Sequence, residues 1–133
     1  FRSKIERISE LLALVDPYEA ERVEKLREKL VLQLDKLPGV EVDSGRLEQE
    51  MIYYIEKLDV TEEKTRLRAH LNYFMETMDG EPGQGKKLGF IAQEMGREIN
   101  TLGSKSNNAE MQRIVVKMKD ELEQIKEQVL NVL

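Results

Sequence analysis

The apolar residues of this chain recur at intervals of three and four positions along almost its whole length. That spacing places them on one face of an α-helix, and no segment shows the alternation typical of a half-buried strand. Turn signals interrupt the pattern at Asp16-Pro17, at Pro38-Gly39, at Val60-Thr61 and in the loop 79–84. We therefore predict an all-α fold of about six helices in antiparallel hairpins, with an elongated shape.

The predicted helices cover residues 1–15, 17–37, 45–58, 61–78, 86–101 and 108–133. Asp16 is predicted to cap the second helix with Pro17 at its first position, because the first turn of a helix does not need the N–H that proline lacks. The residues expected to face inward on the second helix are Val23, Leu26, Leu30, Leu34 and Leu37. Those on the third helix are Leu47, Met51, Tyr54, Ile55 and Leu58.

The last predicted helix carries apolar residues in alternating steps of four and three, which is the heptad pattern of a coiled coil. These residues, which we call the heptad seam, are Met111, Val115, Met118, Leu122, Ile125, Val129 and Val132. At 1.5 Å per residue the seam needs a partner helix along about 35 Å. The partner lies in the same chain or in another subunit, and the length of the seam in so small a chain leads us to expect a homo-oligomer.

Residues 85–110 differ from ordinary helical packing because their helix collects polar side chains on one face. That face carries Lys87, Phe90, Glu94, Arg97, Glu98 and Thr101. Glu94 and Glu98 lie one turn apart, and carboxylate oxygens that converge in this way suit a divalent cation. The alternative is a solvated face with a partial pair to Arg97, which is the commoner role of such clusters. Gly89 and Gly96 flank this face, where they would let another backbone or a ligand come close.

The segment that follows, residues 102–108, is predicted to be a loop. Gly103 is expected to end the preceding helix in the left-handed conformation, and Asn107 with Glu110 fits a capping box for the next helix. Such a loop would present Ser104, Lys105 and free backbone N–H groups near a helix N-terminus, where a phosphate binds well. An ordinary turn between helices remains the alternative.

Composition and charge narrow the possible partners. The chain has 133 residues, enough for one domain, and it contains no cysteine, which suits the cytoplasm. No apolar run approaches 18 residues, so we expect no membrane partner. The formal charge is −5, yet residues 83–119 hold seven basic and three acidic residues, which leaves −9 for the remainder. One basic segment on an acidic chain fits either localised phosphate contact or an acidic partner subunit.

The same central stretch resembles the signature of the YicC-like family of bacterial endoribonucleases, which are also described as stress-induced proteins. The residues that carry the resemblance are Gly85, Lys86, Lys87, Leu88, Phe90, Gln93, Glu94, Arg97, Glu98, Asn100, Thr101, Leu102, Ser104, Lys105, Ser106, Ala109 and Glu110. Residues 46–50 and 66–71 agree with the family more weakly. The resemblance covers most of the chain and is strongest after about Val60.

The resemblance implies a metal-dependent endoribonuclease that hydrolyses phosphodiester bonds of single-stranded or small RNA, built as an oligomer that encloses its substrate. RNA is then the expected partner, and DNA is not expected. Family members carry an N-terminal α+β domain, and we expect this chain to be a C-terminal fragment without that domain. We expect residues 1–60 to be a helical connector region and residues 61–133 to be the YicC-like C-terminal helical domain.

The resemblance also assigns roles to individual residues. Glu94 and Glu98 would hold Mn²⁺ or Mg²⁺, and His70 would act as a general acid or base. The residues expected to bind RNA are Lys86, Lys87, Arg97, Asn100, Ser104 and Lys105. The alternative role for His70 is structural, since a lone histidine is more often structural than catalytic. The alternative function of the chain is an RNA-binding or oligomerisation helical module without activity of its own.

Overall fold

The computed structural model describes residues 1–35 and 44–132, and these two ranges form six helices and no strand. The helices are α1 (Arg2–Ala13), α2 (Val15–Asp35), α3 (Ser44–Leu58), α4 (Thr61–Asp79), α5 (Gly85–Lys105) and α6 (Ala109–Val132). The all-α prediction is therefore confirmed. The predicted break at Pro38-Gly39 and the predicted end of the second helix at Leu37 lie outside the described residues. None of the described helices is both long enough and apolar enough to cross a membrane.

Helices α1, α4, α5 and α6 pack around one apolar core. Phe74 of α4 is fully buried there, and the ring of Phe1 meets its edge with a centroid separation of 5.5 Å. Short connections join α4 to α5 and α5 to α6, and such connections place consecutive helices antiparallel. An ion pair between Arg2 and Asp79, at 3.0 Å, joins the beginning of α1 to the end of α4.

Helices α2 and α3 pack antiparallel on each other, and we call this pair the α2–α3 arm. An ion pair between Arg27 of α2 and Glu48 of α3, at 3.0 Å, joins the two helices. Leu47 and Met51 of α3 are buried. The prediction that Val23 and Ile55 face inward is wrong, because their side chains are 36% and 39% exposed respectively. Helix α3 packs chiefly on α2, whereas α2 also packs on α1 and α6, and this arrangement leaves part of each apolar stripe at the surface.

Three glycines of α5, spaced seven residues apart, face three apolar residues of α6 with the same spacing. A methyl group placed on Gly89 would lie 3.7 Å from Val129, and one on Gly96 would lie 3.4 Å from Leu122. Both are ordinary van der Waals distances, so α6 packs on these two glycines at a separation that a methyl group would also fit. The atoms nearest to these added methyl groups belong to side chains of α6, so the predicted close approach of another backbone is not seen at Gly89 or Gly96.

Gly103 continues this series, so its predicted role as a left-handed helix stop is wrong. Helix α5 runs on to Lys105, and Gly83 is the one residue with positive φ within residues 1–35 and 44–132. A methyl group on Gly103 would lie only 3.0 Å from Val115 of α6. Glycine is present here because α6 passes close by, and residues 102–105 are helical instead of forming a phosphate-binding loop.

The partner helices of the heptad seam of α6 lie in the same chain. All of its members except Val132 are buried, and α6 packs against α5 and α1. The alternative in which the seam's partner lies in the same chain is therefore the correct one. A subunit interface, if present, has to use a different surface.

Five of the six predicted helix starts differ from the observed ones by one or two residues, and at α2 and α6 the difference changes the predicted cap. Helix α2 begins at Val15, so Pro17 is its third residue, where a missing N–H is still tolerated. Asp16 pairs with Lys64 of α4 at 2.7 Å. At the start of α6, the carboxamide oxygen of Asn108, and not Asn107, accepts hydrogen bonds from the backbone N–H groups of Glu110 and Met111.

Candidate functional site

Helices α4 and α5 enclose a shallow groove of about 410 Å³ on the outside of the four-helix core. We call it the α4–α5 groove, and its lining consists of Ala69, His70, Tyr73, Phe90, Ile91 and Glu94. Its composition is mainly apolar and aromatic, and its polar groups are the imidazole of His70, the carboxylate of Glu94 and the phenol of Tyr73. An apolar cleft with a few convergent polar groups is the usual form of a ligand site.

Helical periodicity explains why these side chains meet. On α4, Leu67, Leu71 and Phe74 point into the core, and this leaves half-buried His70 and exposed Tyr73 at the edge that faces α5. On α5, the apolar stripe is buried and the opposite face points outward, as the sequence predicts. Phe90 on that outward face has 69% of its surface exposed.

Glu94 and Arg97 form the ion pair expected for a partly solvated face. The carboxylate oxygen lies 3.5 Å from the guanidinium nitrogen, and the side chains are 45% and 70% exposed respectively. A pair this long and this accessible to water contributes little to stability. Glu98, one turn further along α5, is half-buried and has no ion pair among the described residues. Glu94 lines the α4–α5 groove, whereas Glu98 lies beyond its lining.

The described residues contain no group of three or more His, Asp or Glu side chains arranged to hold a metal ion. Glu94 and Glu98 alone supply two carboxylates from consecutive turns of α5. Mg²⁺ is commonly held by one or two carboxylates together with waters and the phosphates of a substrate. The donor set thus fits a metal that is shared with a bound phosphate, and it does not fit a site made entirely of protein ligands.

The predicted RNA-binding residues at the beginning and middle of α5 are accessible. Lys86, Lys87, Arg97 and Asn100 are all exposed. The ammonium of Lys87 lies 4.9 Å from the centroid of the Tyr73 ring, within the range of a cation–π contact. Lys87 and Tyr73 also line a second depression of about 240 Å³ between the end of α4 and the start of α5.

The predicted RNA-binding residues at the end of α5 already have partners within the protein. The ammonium of Lys105 contacts the carboxylate of buried Glu63 at 2.8 Å and the backbone carbonyl of Asp59 at 3.1 Å. The hydroxyl of Ser104 donates to the carbonyl of Thr101 at 2.9 Å. The structure therefore does not place Lys105 in the lining of the α4–α5 groove with His70 and Glu94.

Lys105 belongs to a polar cluster in which Arg22 of α2 is the most deeply buried cation. The guanidinium of Arg22 donates to the carbonyl of Lys105 at 2.7 Å and to the carbonyl of Leu58 at 2.5 Å. Burial lowers the pKa of Arg22 from its ordinary value, against the attraction of Glu19 and Asp59. Arg22 thereby joins the C-terminal ends of α3 and α5. Sequence reasoning missed this cluster, because Arg22 looks like one more charge on a solvated helix face.

Sequence reasoning also missed Tyr73, which lines both the α4–α5 groove and the second depression. A signal for it was present, since Tyr73 lies three residues after His70 and therefore shares a face of α4 with it. The sequence had placed Phe90 on the polar face of α5 without assigning it a role. The structure brings these two aromatic residues to one groove.

Comparisons with known proteins agree with the sequence signature. The family described as "Endoribonuclease YicC-like, C-terminal" matches residues 15–133. The chain is 39% identical over 121 residues to the probable endoribonuclease YicC of Clostridioides difficile strain 630, and the match covers 89% of this chain and 41% of that protein. It is 38% identical over 105 residues to the probable endoribonuclease YicC of Haemophilus influenzae, with coverage of 79% and 36%.

This chain therefore spans well under half the length of the curated relatives it matches. The matched range includes all of α4 and α5, and so it includes every residue of the α4–α5 groove. The chain belongs to the YicC-like endoribonuclease family and corresponds to the C-terminal part of its members.

Proposed function

We propose that this chain is the C-terminal part of a metal-dependent endoribonuclease, and that its catalytic residues lie at the α4–α5 groove and on the next turn of α5, which carries Glu98. The substrate class is single-stranded or small RNA. One observation carries the proposal: the groove brings His70 of α4 and Glu94 of α5 together, and both residues lie within the range matched by the endoribonuclease family.

Glu94 and Glu98 are the residues that would hold Mn²⁺ or Mg²⁺ jointly with an RNA phosphate. A metal bound there would neutralise charge on the phosphate and lower the pKa of a coordinated water. The chain's own contribution is to keep two carboxylates on consecutive turns of a rigid helix. The core behind them is closed by Ile91, Met95 and Ile99, so the backbone that carries them is held in place.

Hydrolysis of a phosphodiester bond adds one water across the bond between phosphorus and a ribose oxygen. The water oxygen forms the new bond to phosphorus and loses a proton, and the departing ribose oxygen gains one. His70 is the groove residue suited to this transfer, because an imidazole both accepts and donates protons near neutral pH. We expect His70→Ala to slow cleavage while RNA affinity remains close to that of the unaltered chain.

Arg97, Lys86 and Lys87 would contact phosphates along the outward face of α5, with Asn100 and Ser104 as further polar contacts. Arg97 lies beside Glu94, which suits a guanidinium that holds the phosphate being attacked. We leave Lys105 out of this set because its ammonium is engaged by Glu63.

We further propose that the protein acts as a homo-oligomer in the cytoplasm. The heptad seam does not supply the interface, since it is buried within the chain. The α2–α3 arm carries exposed Leu32, Ile52 and Tyr53, which supports that arm as a place of contact. The absence of cysteine supports a reducing compartment.

The proposal is tested by incubating end-labelled single-stranded RNA with this chain and with the full-length protein, each with Mn²⁺ and with EDTA. Metal-dependent fragments from this chain would place a complete site on its helices. Fragments from the full-length protein alone would favour the alternative, in which the helical part binds RNA and the remainder of the protein is required for cleavage. RNA left intact by both would contradict the proposed activity.

A further inference from the structure

Phe90 is more exposed than any other described aromatic residue, and the fold does not explain its position. With 69% of its surface exposed on the outward face of α5, its ring does not belong to the buried core. Single exposed apolar residues are common and need no explanation. Phe90, however, lines the same groove as Tyr73, which is itself 42% exposed, and Ala69 and Ile91 add apolar surface to that groove. Phe90 is therefore one of two exposed aromatic residues that line a single groove.

Tyr73 forms part of two adjoining depressions. One of them is the α4–α5 groove, and the other contains Lys87, whose ammonium lies over the tyrosine ring. Lys87 does not line the α4–α5 groove itself, so the cation approaches Tyr73 from the side of the second depression. The result is an alternation along the α4–α5 face: a cation, an aromatic ring, a groove and a second aromatic ring.

Exposed cations lie on α5 both before and after Phe90. Lys86 and Lys87 lie before Phe90 on α5, and Arg97 lies two turns after it. Aromatic rings interleaved with cations are the combination by which proteins bind single-stranded nucleic acid, because bases stack on the rings while the cations contact the backbone. A duplex does not offer its base faces in this way, since they are stacked inside the helix.

We propose that Phe90 and Tyr73 stack on an unpaired base of RNA in the α4–α5 groove and thereby select single-stranded over double-stranded substrate. This inference rests on the proposed function, which supplies RNA as the ligand, and it adds the two residues that would distinguish unpaired RNA. The stacked base would lie next to Glu94 and Arg97, so the phosphate attached to it would be presented to the proposed catalytic groups. Lys87 would then contact the neighbouring phosphate.

The test uses a short single-stranded RNA that contains one 2-aminopurine, whose fluorescence is quenched when the base stacks on an aromatic ring. Binding is measured without divalent metal, so that cleavage does not interfere. We expect Phe90→Ala and Tyr73→Ala each to weaken binding roughly 5- to 100-fold and to reduce the quenching, as alanine substitution at base-stacking positions does. Phe90→Trp should keep the RNA affinity and the quenching of the unaltered chain, because a tryptophan ring also stacks on a base.

Matched controls come from exposed residues elsewhere on the surface. Leu130→Ala removes an apolar side chain of α6 that is 69% exposed, as Phe90 is, and Val116→Ala removes one that is 54% exposed. Neither should alter RNA affinity or quenching. The fully paired form of the same RNA should bind the Phe90→Ala and Tyr73→Ala variants as it binds the unaltered chain, because its bases do not reach the groove.

The outcomes separate this inference from the proposed function. RNA binding that Phe90→Ala and Tyr73→Ala leave unchanged would overturn the stacking role and leave the nuclease proposal standing. An equal loss of single-stranded and duplex binding would also overturn it, since the rings would then not select unpaired bases. A fall in oligomer mass with unaltered RNA affinity would show that Phe90 serves a protein interface instead. If the unaltered chain and the full-length protein bind no RNA, the proposed function and this inference fail together.

Discussion

Gly103 of α5 lies directly against Val115 of α6, so closely that an added methyl group would stand 3.0 Å from the Val115 side chain. Val115 is only 1% exposed, and its branched side chain has little freedom to move aside. We therefore expect Gly103→Ala to lower the free energy of unfolding by about 1–3 kcal/mol, the usual cost of overpacking, despite the higher helix propensity of alanine. Denaturant unfolding followed by circular dichroism measures this change.

Gly89→Ala is the matched control for that substitution. Its added methyl group would lie 3.7 Å from Val129, an ordinary contact distance, so only the gain in helix propensity should remain. We expect Gly89→Ala to raise the free energy of unfolding by about 0.5–1 kcal/mol. A combined Gly103→Ala, Val115→Ala variant should lose less unfolding free energy than the sum of the losses of the two single variants, because the smaller side chain at 115 makes room for the added methyl group. Equal effects of the two glycine substitutions would contradict close packing at Gly103.

Lys105 is predicted to stabilise the fold through its ion pair with Glu63. Lys105→Met would leave the carboxylate of Glu63, which is 4% exposed, without its cation, and we expect a loss of about 1–3 kcal/mol. Adding Glu63→Met should recover much of that loss, because the uncompensated buried charge is then removed. Arg66→Met, which breaks an exposed pair with Glu62, should change stability by less than about 0.5 kcal/mol.

RNA binding distinguishes this role of Lys105 from a phosphate contact. If Lys105 serves only to pair with Glu63, the dependence of RNA affinity on salt concentration stays the same in Lys105→Met, whereas Arg97→Met reduces the slope. A reduced slope in the Lys105→Met variant, with its stability unaltered, would instead assign Lys105 to RNA.

The carboxylate of Asp59 is expected to raise the free energy of unfolding by an amount that depends on pH. A hydrogen bond from the hydroxyl of Thr61, and a second from the Thr61 backbone N–H, lower the pKa of Asp59 below its ordinary value of 3.8. A lowered pKa in the folded state means that this stabilisation is present above about pH 3.8 and is lost as the pH falls through the folded-state pKa. We expect Asp59→Ala to cost about 1 kcal/mol at neutral pH, similar to the loss of a helix cap.

The measurement is the difference in unfolding free energy between the unaltered chain and Asp59→Ala as the pH is lowered from 7. That difference should shrink in the acid range, whereas Asp120→Ala, on the exposed side of α6, serves as the control for general loss of charge. A difference that stays constant down to the most acid conditions would show that the Asp59 carboxylate does not favour the folded state.

Neighbouring residues of α6 test whether the heptad seam is used within the chain. Val115 is buried against α5, whereas Val116 is 54% exposed. Val115→Asp should unfold the chain or destabilise it severely, because a carboxylate would be buried without a partner. Val116→Asp should leave both the helical content and the unfolding free energy close to normal. A folded Val115→Asp variant with an altered oligomeric mass would instead indicate that the seam joins subunits.

Much of this fold could be predicted because helix formation leaves a periodic signal in the sequence. Leu67, Leu71 and Phe74 mark the buried face of α4 directly, and the same signal located all six helices. The ends were harder, because Gly103 suits both a left-handed stop and a close helix contact. The spacing of Gly89, Gly96 and Gly103 at intervals of seven would have favoured the contact, since a stop needs no such repeat.

Less of the site could be predicted, because it depends on which helices become neighbours. The sequence placed Glu94, Arg97 and Phe90 on one face of a helix, and the structure confirms that arrangement. It did not show that Tyr73 of α4 would border that face, or that Glu63 would engage Lys105. Those contacts arise from the antiparallel packing of α4 on α5, which a periodic pattern within one helix does not specify.

The most direct test of the central proposal is metal-dependent cleavage of labelled single-stranded RNA by the full-length protein and by its Glu94→Gln, Glu98→Gln variant. The control is Glu123→Gln, Glu127→Gln, which alters two exposed glutamates one turn apart on α6. We expect the first variant to lose cleavage with an unchanged circular dichroism spectrum, and the control to cut RNA normally. Cleavage by the Glu94→Gln, Glu98→Gln variant at the normal rate would show that the α4–α5 face does not hold the catalytic metal.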